Sequence, residues 1–475
     1  MKAILINPYP YYARGVEGIV YPPLGLIYLA SVAKNRNLGD MRVLDANIMK
    51  LENKGVIAQI LDYNPDIIGI SSNIVTHRSA LELAKLIRLN GMKQLLLVGG
   101  PYPVLFPDKY LEYCDIIVNG EGEETFCDIL EACRYKKEIF SLKGILYKKD
   151  NSIFHNKNRE FMDNLDDIPF PDYTLLKPSI DYYSKRARII KNIMAPVMTS
   201  RGCPYQCTYC NKSVFGSTFR CRTPENILME IEWLHKNFKV DQIDILDDNF
   251  NLIPERAEKL LDKIIDTDLN IAISCHNGLR ADKISDSFAE KLKKSGVFKV
   301  GLGIETADFK LMQTIKKNLD LNKVKDAITA LRKQRITVHG YFIFGLPGDT
   351  PSSMKRTIEF AKDVNPHFCN FATCIPFPGT EVYNIVRKEG TFLEDVDNGV
   401  SSGFFDGKVF FEINGTKAKD VSYYCKKAYK DFYFNAEKIL DIAFTIKNFR
   451  ELKWVLSTSL SLVKNMLFSL GKKQS

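Results

Sequence analysis

The chain has 475 residues, of which 45% are hydrophobic and 26% charged, and its formal net charge is +9. This length allows two or three domains of a folded globular protein, and the charge is spread so evenly that a nucleic-acid partner is not evident. The eleven cysteines are mostly scattered, which favours a reduced, metal-binding, cytoplasmic protein over a disulfide framework.

Residues 1–145 alternate short apolar strands with helical patterns, and the first eight residues are interpreted as a strand and turn rather than a signal peptide. The predicted strands are 3–7, 42–45, 66–71, 95–100 and 115–119. This rhythm is typical of a doubly wound parallel sheet, in which ligands bind beyond the carboxyl ends of the strands. The residues at those ends are Pro8, Ser71, Ser72, Gly99, Gly100, Glu121 and Gly122. Each glycine taken alone is equally consistent with a simple turn.

Residues 146–194 are predicted to be a linker. The segment 148–158 is polar and has the turn residues of a hairpin, and 166–173 is rich in proline and aspartate and is predicted to be extended.

Residues 195–385 again alternate strands and helices. The predicted strands are 197–200, 242–246, 271–275, 299–304, 338–344 and 368–373. Repeated parallel βα units of this kind predict a barrel or part of one, with functional groups at the carboxyl ends of its strands.

The loop after the first of these strands contains Cys203, Cys207 and Cys210, with the spacing C-x3-C-x2-C. Thiolates this close on one loop converge on one metal centre, and iron–sulfur clusters are held by such thiolates. No fourth close ligand is evident, and an open coordination position is where a metal site does chemistry. A structural zinc site with Cys221 as fourth ligand is the alternative, although the usual second close pair of cysteines is missing.

Polar and small residues follow the later strands. They are Asp247 and Asp248, Arg280, Glu305, Gly345 and Pro376. The acidic pair also fits a plainer interpretation, which is capping of the helix predicted to begin at Pro254.

Residues 386–475 have a helical pattern. Aromatic residues in 423–434 lie on one helical face and are predicted to pack in the core. The segment 448–475 is basic and amphipathic, which is consistent either with contact with a membrane surface or with a helix that covers the substrate side of the barrel.

The three-cysteine motif, with Tyr209 directly before its last cysteine, resembles that of the radical S-adenosylmethionine (radical SAM) superfamily. The resemblance covers 1–385 and includes the acidic end of the second barrel strand, Glu305, a Gly-x-x-x-x-Gly-x-Pro run and a Pro-x-Pro-Gly-Thr run. It implies a 4Fe–4S cluster bound by the three cysteines, with S-adenosylmethionine chelated by the open iron and cleaved to a 5′-deoxyadenosyl radical after one-electron reduction. The residues it implies for S-adenosylmethionine are Tyr209, Asp247, Asp248, Arg280, Glu305, Gly345 and Pro376.

The first part of the chain resembles the cobalamin-binding domain that precedes many radical SAM domains. The matching pieces include Asn7-Pro8, Pro22-Pro23-Leu24-Gly25, Gly99-Gly100 and Gly120-Glu121-Gly122. The residues implied for cobalamin are Pro8, Gly25, Ser71, Ser72, Gly99, Gly100, Glu121 and Gly122. The chain departs from cobalamin-dependent mutases because it lacks their Asp-x-His-x-x-Gly motif, and His77 is interpreted as a residue at a helix start rather than a cobalt ligand.

We therefore predict an α/β protein with four parts: a doubly wound cobalamin-binding-like domain (1–145), a linker (146–194), a partial (β/α)6 radical SAM barrel (195–385) and a helical segment on the substrate side (386–475). The predicted function is cobalamin-dependent C-methylation, of class B, at an unactivated carbon of a small-molecule or lipid substrate. Its expected partner is an electron donor such as flavodoxin or ferredoxin, and its expected location is the cytoplasm, with peripheral membrane contact through 448–475.

Two alternatives stay open. One is a radical SAM cyclase or rearrangement enzyme without methyl transfer, and the other is a non-catalytic regulatory protein that binds cobalamin or zinc. The substrate is not identified by any residue pattern. Nor is a residue that exchanges a second hydrogen atom, for which Tyr341 and Cys374 are candidates.

Overall fold

The structure, a computed structural model, describes residues 1–10, 21–185, 190–400, 407–434 and 436–446, together with 452, 455 and 456. Most of the segment 448–475, for which membrane contact was predicted, lies outside these residues. None of the helices within the described ranges is long and apolar enough to cross a membrane.

The N-terminal part is a mainly parallel sheet with helices on both faces. Its strands are β1 (Lys2–Asn7), β2 (Asp40–Asp45), β3 (Ile67–Ser71), β4 (Leu95–Gly99), β5 (Ile116–Val118), β6 (Ile145–Lys149), β7 (Ser152–His155) and β8 (Leu176–Lys177). Its helices are α1 (Leu24–Asn35), α2 (Ala46–Met49), α3 (Asn53–Tyr63), α4 (His77–Leu89), α5 (Pro107–Tyr110) and α6 (Glu123–Tyr135). The strand order is β7-β6-β5-β4-β3-β1-β2-β8. The β5–β6 and β6–β7 pairs are antiparallel, and the other pairs are parallel.

Alternation along the strands explains why both faces are covered. In β1, Ala3 and Leu5 pack in one core with α1 and α6, whereas Ile4 and Ile6 pack in a second core with α3 and α4. Successive side chains of a strand point to opposite faces, so a run that is apolar at every position needs helices on both sides. The predicted doubly wound sheet is therefore confirmed.

The first sheet also takes in residues that were assigned to the linker. Strands β6, β7 and β8 lie between residues 145 and 177 and extend the sheet at its two edges. The division of the chain at 145, 194 and 385 stays a prediction.

The central part is a second sheet of six parallel strands, preceded by a short ribbon at its first loop. The strands of this region are β9 (Met194–Val197), β10 (Ser200–Arg201), β11 (Arg220–Cys221), β12 (Gln242–Ile245), β13 (Ala272–Leu279), β14 (Val297–Glu305), β15 (Thr337–Phe344) and β16 (Phe368–Thr373). The helices are α7 (Pro224–Phe238), α8 (Pro254–Ile265), α9 (Asp286–Lys294), α10 (Phe309–Thr314), α11 (Leu321–Lys333) and α12 (Pro351–Val364). The order β16-β15-β14-β13-β12-β9 leaves the sheet open in the described part of the chain, as a partial barrel does.

The first barrel strand ends earlier than the predicted 197–200. It spans Met194–Val197, and the chain leaves the sheet at Thr199, whose backbone N–H donates to the carboxylate of Asp247 (2.6 Å) instead of to a neighbouring strand. Ser200 and Arg201 then pair with Arg220 and Cys221 as the antiparallel ribbon β10–β11.

The C-terminal part is helical, as predicted, but a hairpin separates its first helix from the later ones. It consists of α13 (Glu381–Glu389), β17 (Gly390–Phe392), β18 (Phe411–Ile413), α14 (Ala418–Tyr433) and α15 (Ala436–Ala443). Between the two hairpin strands the chain reaches back to the first sheet, where Tyr102 Oη donates to the carbonyl of Val396 (3.0 Å).

Helix α14 covers the outer edge of β16. Tyr433 Oη accepts from the amide of Cys369 (2.8 Å) and donates to its carbonyl (2.7 Å), and Tyr429 Oη accepts from the amide of Phe371 (3.2 Å). The thiol of Cys425 donates to the carbonyl of Phe371 (3.3 Å). Side chains thus satisfy backbone groups that another strand would otherwise bond.

We expect His367 to make folding stability depend on pH. Its Nδ1 accepts the amide of Val338 (3.1 Å), and burial, together with nearby Arg332 and Lys438, lowers its pKa from 6.5 to about 4. The unfolded chain takes up this proton near pH 6.5 and the folded protein only near pH 4. This stabilisation is therefore present above pH 6.5 and is lost as the pH falls toward 4, by roughly 3 kcal/mol.

Urea unfolding above and below this pH window checks the expectation. His367→Leu should weaken the pH dependence of the unfolding midpoint, with the contribution of the buried His77 left in place, whereas replacement of the exposed His155 by Gln should leave it unchanged. An equal pH dependence in wild type and His367→Leu would contradict the assignment.

Candidate active site

The ribbon β10–β11 closes the loop that carries the three cysteines. Ser200 is opposite Cys221 and Arg201 is opposite Arg220, so residues 202–219 leave and return side by side. Gly202, the first residue of the loop, has φ +80°, and a Cβ there would lie 2.2 Å from the carbonyl oxygen of Thr218. Only glycine fits this close approach without moving the backbone.

The cysteine loop is irregular and is held by its neighbours. The amide of Thr208 donates to the carbonyl of Ile315 (3.1 Å), and its carbonyl accepts from the amide of Val382 (3.0 Å). The loop therefore rests on the chain segments that follow α10 and begin α13.

The three cysteines are reduced, with Cys203 and Cys207 half-buried and Cys210 exposed. A hydrogen bond from Cys210, assisted by the nearby ammonium of Lys317, lowers the pKa of Cys207 to about 6 although burial acts against it. Thiolates, not thiols, bind metals, so this environment suits a ligand.

The cysteines do not form a single-ion site. No three His, Cys, Asp or Glu side chains in the described ranges are close enough to hold one metal ion. The zinc alternative with Cys221 needs four ligands on the same ion, and metal analysis distinguishes it from a cluster. A four-iron cluster takes each thiolate on a different iron and so fits cysteines that are spread along the loop.

Tyr209 lies beside the thiol of Cys207. Its phenolic oxygen is buried, and among the described residues the thiol of Cys207 is the partner it reaches. A thiol is a weak hydrogen-bond partner, so a ligand at the cysteine loop is a natural second partner for this hydroxyl.

Asp247 and Asp248 are adjacent but lie in different surroundings. The carboxylate of Asp247 is buried and accepts from the amide of Thr199 (2.6 Å), the hydroxyl of Thr199 and the hydroxyl of Ser200 (2.6 Å). Burial raises its pKa, although Arg256 opposes this. In the structure, Asp247 therefore holds the start of the ribbon.

Asp248, in contrast, is exposed and lies beside the cysteine loop. It accepts the backbone N–H of Gly202, and its charge contributes to a raised pKa of Cys203, for which burial is the larger cause. Of the acidic pair, Asp248 is the one that is positioned to meet a ligand at the loop.

Arg280 is next to the cysteine loop with its guanidinium already paired. It makes two 2.8 Å bonds to Asp282 and lies over the ring of Tyr205, 4.0 Å from the ring centre. It also donates to the carbonyls of Lys317 (3.3 Å) and Asn318 (3.1 Å). Its carboxylate partner in the structure is Asp282.

Glu305 ends β14 in an unusual backbone conformation. Its φ is +68°, which is uncommon for a residue other than glycine. Its carboxylate is buried and accepts from Lys317 Nζ (3.0 Å). Burial alone would lower the pKa of Lys317, but Glu305 and Cys207 outweigh it and raise that pKa.

Gly345 and Pro376 end the fifth and sixth barrel strands. Gly345 has φ +76° and donates its amide to Asp349 (2.9 Å), and a Cβ there would lie 2.9 Å from Val421 of α14. Pro376 is buried, and the turn after it reaches the cysteine loop, where Asn211 Nδ2 donates to the carbonyl of Pro378 (3.2 Å). The structure thus brings the turn after Pro376 to the cysteine loop, whereas Gly345 faces α14.

The residues predicted for cobalamin lie along one edge of the first sheet. Ser71 and Gly99 are the last residues of β3 and β4, and Pro8 and Glu121 lie beyond the ends of β1 and β5. These strands are neighbours in the order β5-β4-β3-β1. At Gly100, with φ +107°, a Cβ would lie 2.4 Å from the carbonyl oxygen of Ser72. Gly122 directly precedes α6, and Gly25 is exposed in the first turn of α1.

Ser72, one of the residues predicted for cobalamin, has hydrogen-bond partners within the protein. Ser72 Oγ bonds to Tyr110 Oη (2.6 Å), which bonds in turn to His77 Nδ1 (2.6 Å), and all three residues are buried. His77 is the first residue of α4, as its interpretation at a helix start requires. Burial lowers its pKa to about 4, so it is neutral at physiological pH.

Glu121 joins the two sheets. Its carboxylate accepts from Arg201 (3.1 Å), from Arg220 (3.0 Å) and from the amide of Met162 (3.1 Å). Glu123 accepts from the same Arg201 (2.6 Å). The carboxyl edge of the first sheet therefore adjoins the ribbon that carries the cysteine loop.

Sequence reasoning missed the basic partners of these acids. Lys317, Arg201 and Arg220 belong to no motif, and their partners are distant in sequence. The only local signal was the position of Arg201 and Arg220 beside the two ends of the cysteine loop.

The site and the fold agree with two family models. The model of the radical SAM superfamily matches residues 197–361, and that of the B12 binding domain matches residues 15–130. Among curated relatives, an uncharacterized methyltransferase of Pyrococcus horikoshii is 28% identical over 93% of this chain and 94% of its own length. An anaerobic magnesium-protoporphyrin IX monomethyl ester cyclase of Rubrivivax gelatinosus is 25% identical over 90% of this chain and 82% of its own length.

Solved structures share the fold. The cobalamin-dependent S-adenosylmethionine radical enzyme OxsB superposes with a TM-score of 0.75 at 17% identity, over 98% of this chain and 72% of that one. The radical S-adenosylmethionine methyltransferase TsrM of Kitasatospora setae superposes with a TM-score of 0.65 at 16% identity, over 82% of this chain and 76% of that one. The chain therefore belongs to the radical SAM superfamily, as an enzyme that carries a B12 binding domain ahead of its radical SAM domain.

Proposed function

We propose that this enzyme is a cobalamin-dependent C-methyltransferase that acts on an unactivated carbon of a small molecule. The observation that carries the proposal is the contact between its two candidate cofactor sites. Arg201, two residues before Cys203, is bonded to Glu121 and Glu123 at the edge of the first sheet. Methyl transfer from one cofactor to a carbon activated by another requires such neighbouring sites.

The family brings a 4Fe–4S cluster and S-adenosylmethionine, and the B12 binding domain brings cobalamin. When bound, these groups supply the radical and the methyl group. The contribution of the chain is to hold them. Cys203, Cys207 and Cys210 would bind the cluster, and Tyr209, Asp248 and Glu305, which are close to the cysteine loop, would bind S-adenosylmethionine. The carboxyl edge from Pro8 to Gly122 would hold cobalamin.

The inner face of the central sheet supports a hydrophilic substrate rather than a lipid. The outer face of this sheet is apolar and packs on the helices. The other face carries a row of polar residues in register on four neighbouring strands, namely Asp244, Ser274, Lys299 and Thr337. Asp244, Ser274 and Lys299 are buried, and the hydroxyl of Ser274 has no hydrogen-bond partner in the described part of the chain. Asp244 accepts from Tyr21 Oη (2.9 Å) and Gln242 Nε2 (3.0 Å), so the hydroxyl of Ser274 is the group in this row that favours a ligand with polar groups.

A radical SAM cyclase without methyl transfer is the second candidate. The similarity to the cyclase of Rubrivivax gelatinosus over 90% of this chain favours it. A non-catalytic regulatory protein is not favoured, because Glu305 keeps its buried position and its left-handed backbone beside Lys317.

Metal analysis and a labelled cofactor test the proposal. We expect protein purified without oxygen and reconstituted with iron, sulfide and hydroxocobalamin to hold about four irons and one cobalt per chain. Cys203→Ala should lose the iron and keep the cobalt, whereas Cys221→Ala should keep both. Assays with S-adenosylmethionine labelled in its methyl group should transfer the label to a product carbon. Iron without cobalt, and an unlabelled product, would favour the cyclase, and zinc in place of iron would contradict both candidates.

Asp247 and Asp248 should respond differently to replacement by Asn. Asp248→Asn should weaken S-adenosylmethionine binding several-fold at unchanged stability, because its side chain is exposed beside Gly202. Asp247→Asn should lower the free energy of unfolding by roughly 1–3 kcal/mol, because its amide group would face the donors of Thr199 and Ser200. Equilibrium binding and urea unfolding measure the two effects, and the reverse pattern would show that Asp247 is the ligand.

We propose peripheral membrane contact through 448–475 as a separate property. The apolar residues Ile439, Leu440 and Phe444, which precede this segment, are 60%, 60% and 88% exposed. Removal of 448–475 should reduce sedimentation of the protein with anionic liposomes, and unchanged sedimentation would exclude the contact.

A further inference from the structure

Four buried charged residues join the first sheet to the ribbon of the cysteine loop. We call Glu121, Glu123, Arg201 and Arg220 the charge bridge. Arg201 donates to Glu121 (3.1 Å) and Glu123 (2.6 Å), and Arg220 donates to Glu121 (3.0 Å). The four side chains are 4–9% exposed.

Each end of the charge bridge is next to a candidate cofactor site. Glu121 and Glu123 flank Gly122 in the segment that follows β5, at the carboxyl edge predicted to bind cobalamin. Arg201 and Arg220 are paired with each other in the ribbon, and Arg201 is separated from Cys203 only by Gly202. A shift of the segment that follows β5 would therefore move the ribbon, and a shift of the ribbon would move that segment, because Arg201 is bonded to both Glu121 and Glu123.

The ribbon is also fixed from the side of the central sheet. Asp247 accepts from Thr199 and Ser200, and Arg256 donates to the carbonyl of Thr199 (2.6 Å). The base of the cysteine loop is thus held between the two sheets. The charge bridge supplies its bonds to the first sheet, and Asp247 and Arg256 supply those to the central sheet.

The energetics favour a stiff connection. The two positive and two negative charges cancel, and their attraction is strong because water is largely excluded. Removal of one partner leaves a buried charge uncompensated, which typically costs about 3–5 kcal/mol. The two carboxylates of this bridge are contacted by different nitrogens of the Arg201 guanidinium, and the single ammonium of a lysine does not reproduce that geometry.

We propose that the charge bridge couples the two cofactor sites, so that cobalamin bound at the first sheet and the cluster bound at the cysteine loop stabilise each other. The inference rests on the proposed function, because it needs both cofactors. By linkage, the cluster must then raise the affinity for cobalamin by the same factor as cobalamin raises that for the cluster. Arg201 is in this view a positioning residue for both sites.

Titration of the full chain with hydroxocobalamin tests the coupling. The dissociation constant is measured from the change in cobalamin absorbance, with cluster-loaded and cluster-free protein in parallel. We expect about tenfold tighter binding to the cluster-loaded wild type, and a ratio close to one in Arg201→Lys, which keeps the charge but loses the double contact.

Arg222→Lys is the matched control. Arg222 directly follows the ribbon, and its guanidinium, like that of Arg201, is buried against a buried carboxylate, here Glu230 of α7. Its hydrogen bonds go to Met198, Asn226 and Glu230, all outside the first sheet. It should therefore lose stability as Arg201→Lys does while it keeps the tenfold ratio.

Glu123→Gln provides a second test from the side of the first sheet, should Arg201→Lys not fold. Loss of the ratio in Arg201→Lys or Glu123→Gln, together with its retention in Arg222→Lys, would support the coupling. Equal affinities in the two forms of the wild type would overturn it, and so would an unchanged ratio in both charge-bridge variants. Failure of every protein to bind cobalamin would contradict the proposed function itself and the coupling with it.

Discussion

Buried carboxylates from two different sheets hold the ribbon that carries the cysteine loop. Asp247 bonds to Thr199 and Ser200 from the central sheet, and Glu121 and Glu123 bond to Arg201 from the first. The loop has no regular structure of its own, so the positions of its thiols depend on these contacts. Irregular functional loops are commonly placed in this way by rigid elements on either side.

Much of the fold could be predicted because its strands are buried on both faces. Runs such as Ala3-Ile4-Leu5-Ile6 need helices on each side, and such strands alternating with helices indicate parallel sheets. The ribbon was not predicted, because Ser200–Arg201 and Arg220–Cys221 are two-residue strands set by pairing rather than by a pattern. The early end of β9 has a similar cause, since Asp247, distant in sequence, takes the amide of Thr199.

The candidate site shows the same division. Spacing on one loop singled out the three cysteines as candidates, and position after a strand singled out Asp248 and Glu305, which lie near that loop. Adjacent residues at a strand end point in opposite directions, so only one of Asp247 and Asp248 can face the cysteine loop. Their position in the sequence does not show which one it is. Nor could position find Lys317 or Arg201, whose importance comes only from the acids they meet.

The tyrosines of α14 have a consequence for the shape of the whole central domain. Cys425, Tyr429 and Tyr433 recur every four residues on one side of the helix and bond backbone groups of Cys369 and Phe371. These groups are the ones to which another strand would have to attach. Two phenols and a thiol thus cap the edge strand of the sheet and leave these backbone groups with no free bond for another strand. The capped edge can therefore accept neither a further strand of this chain nor a strand from a second molecule, and the barrel stays open at β16.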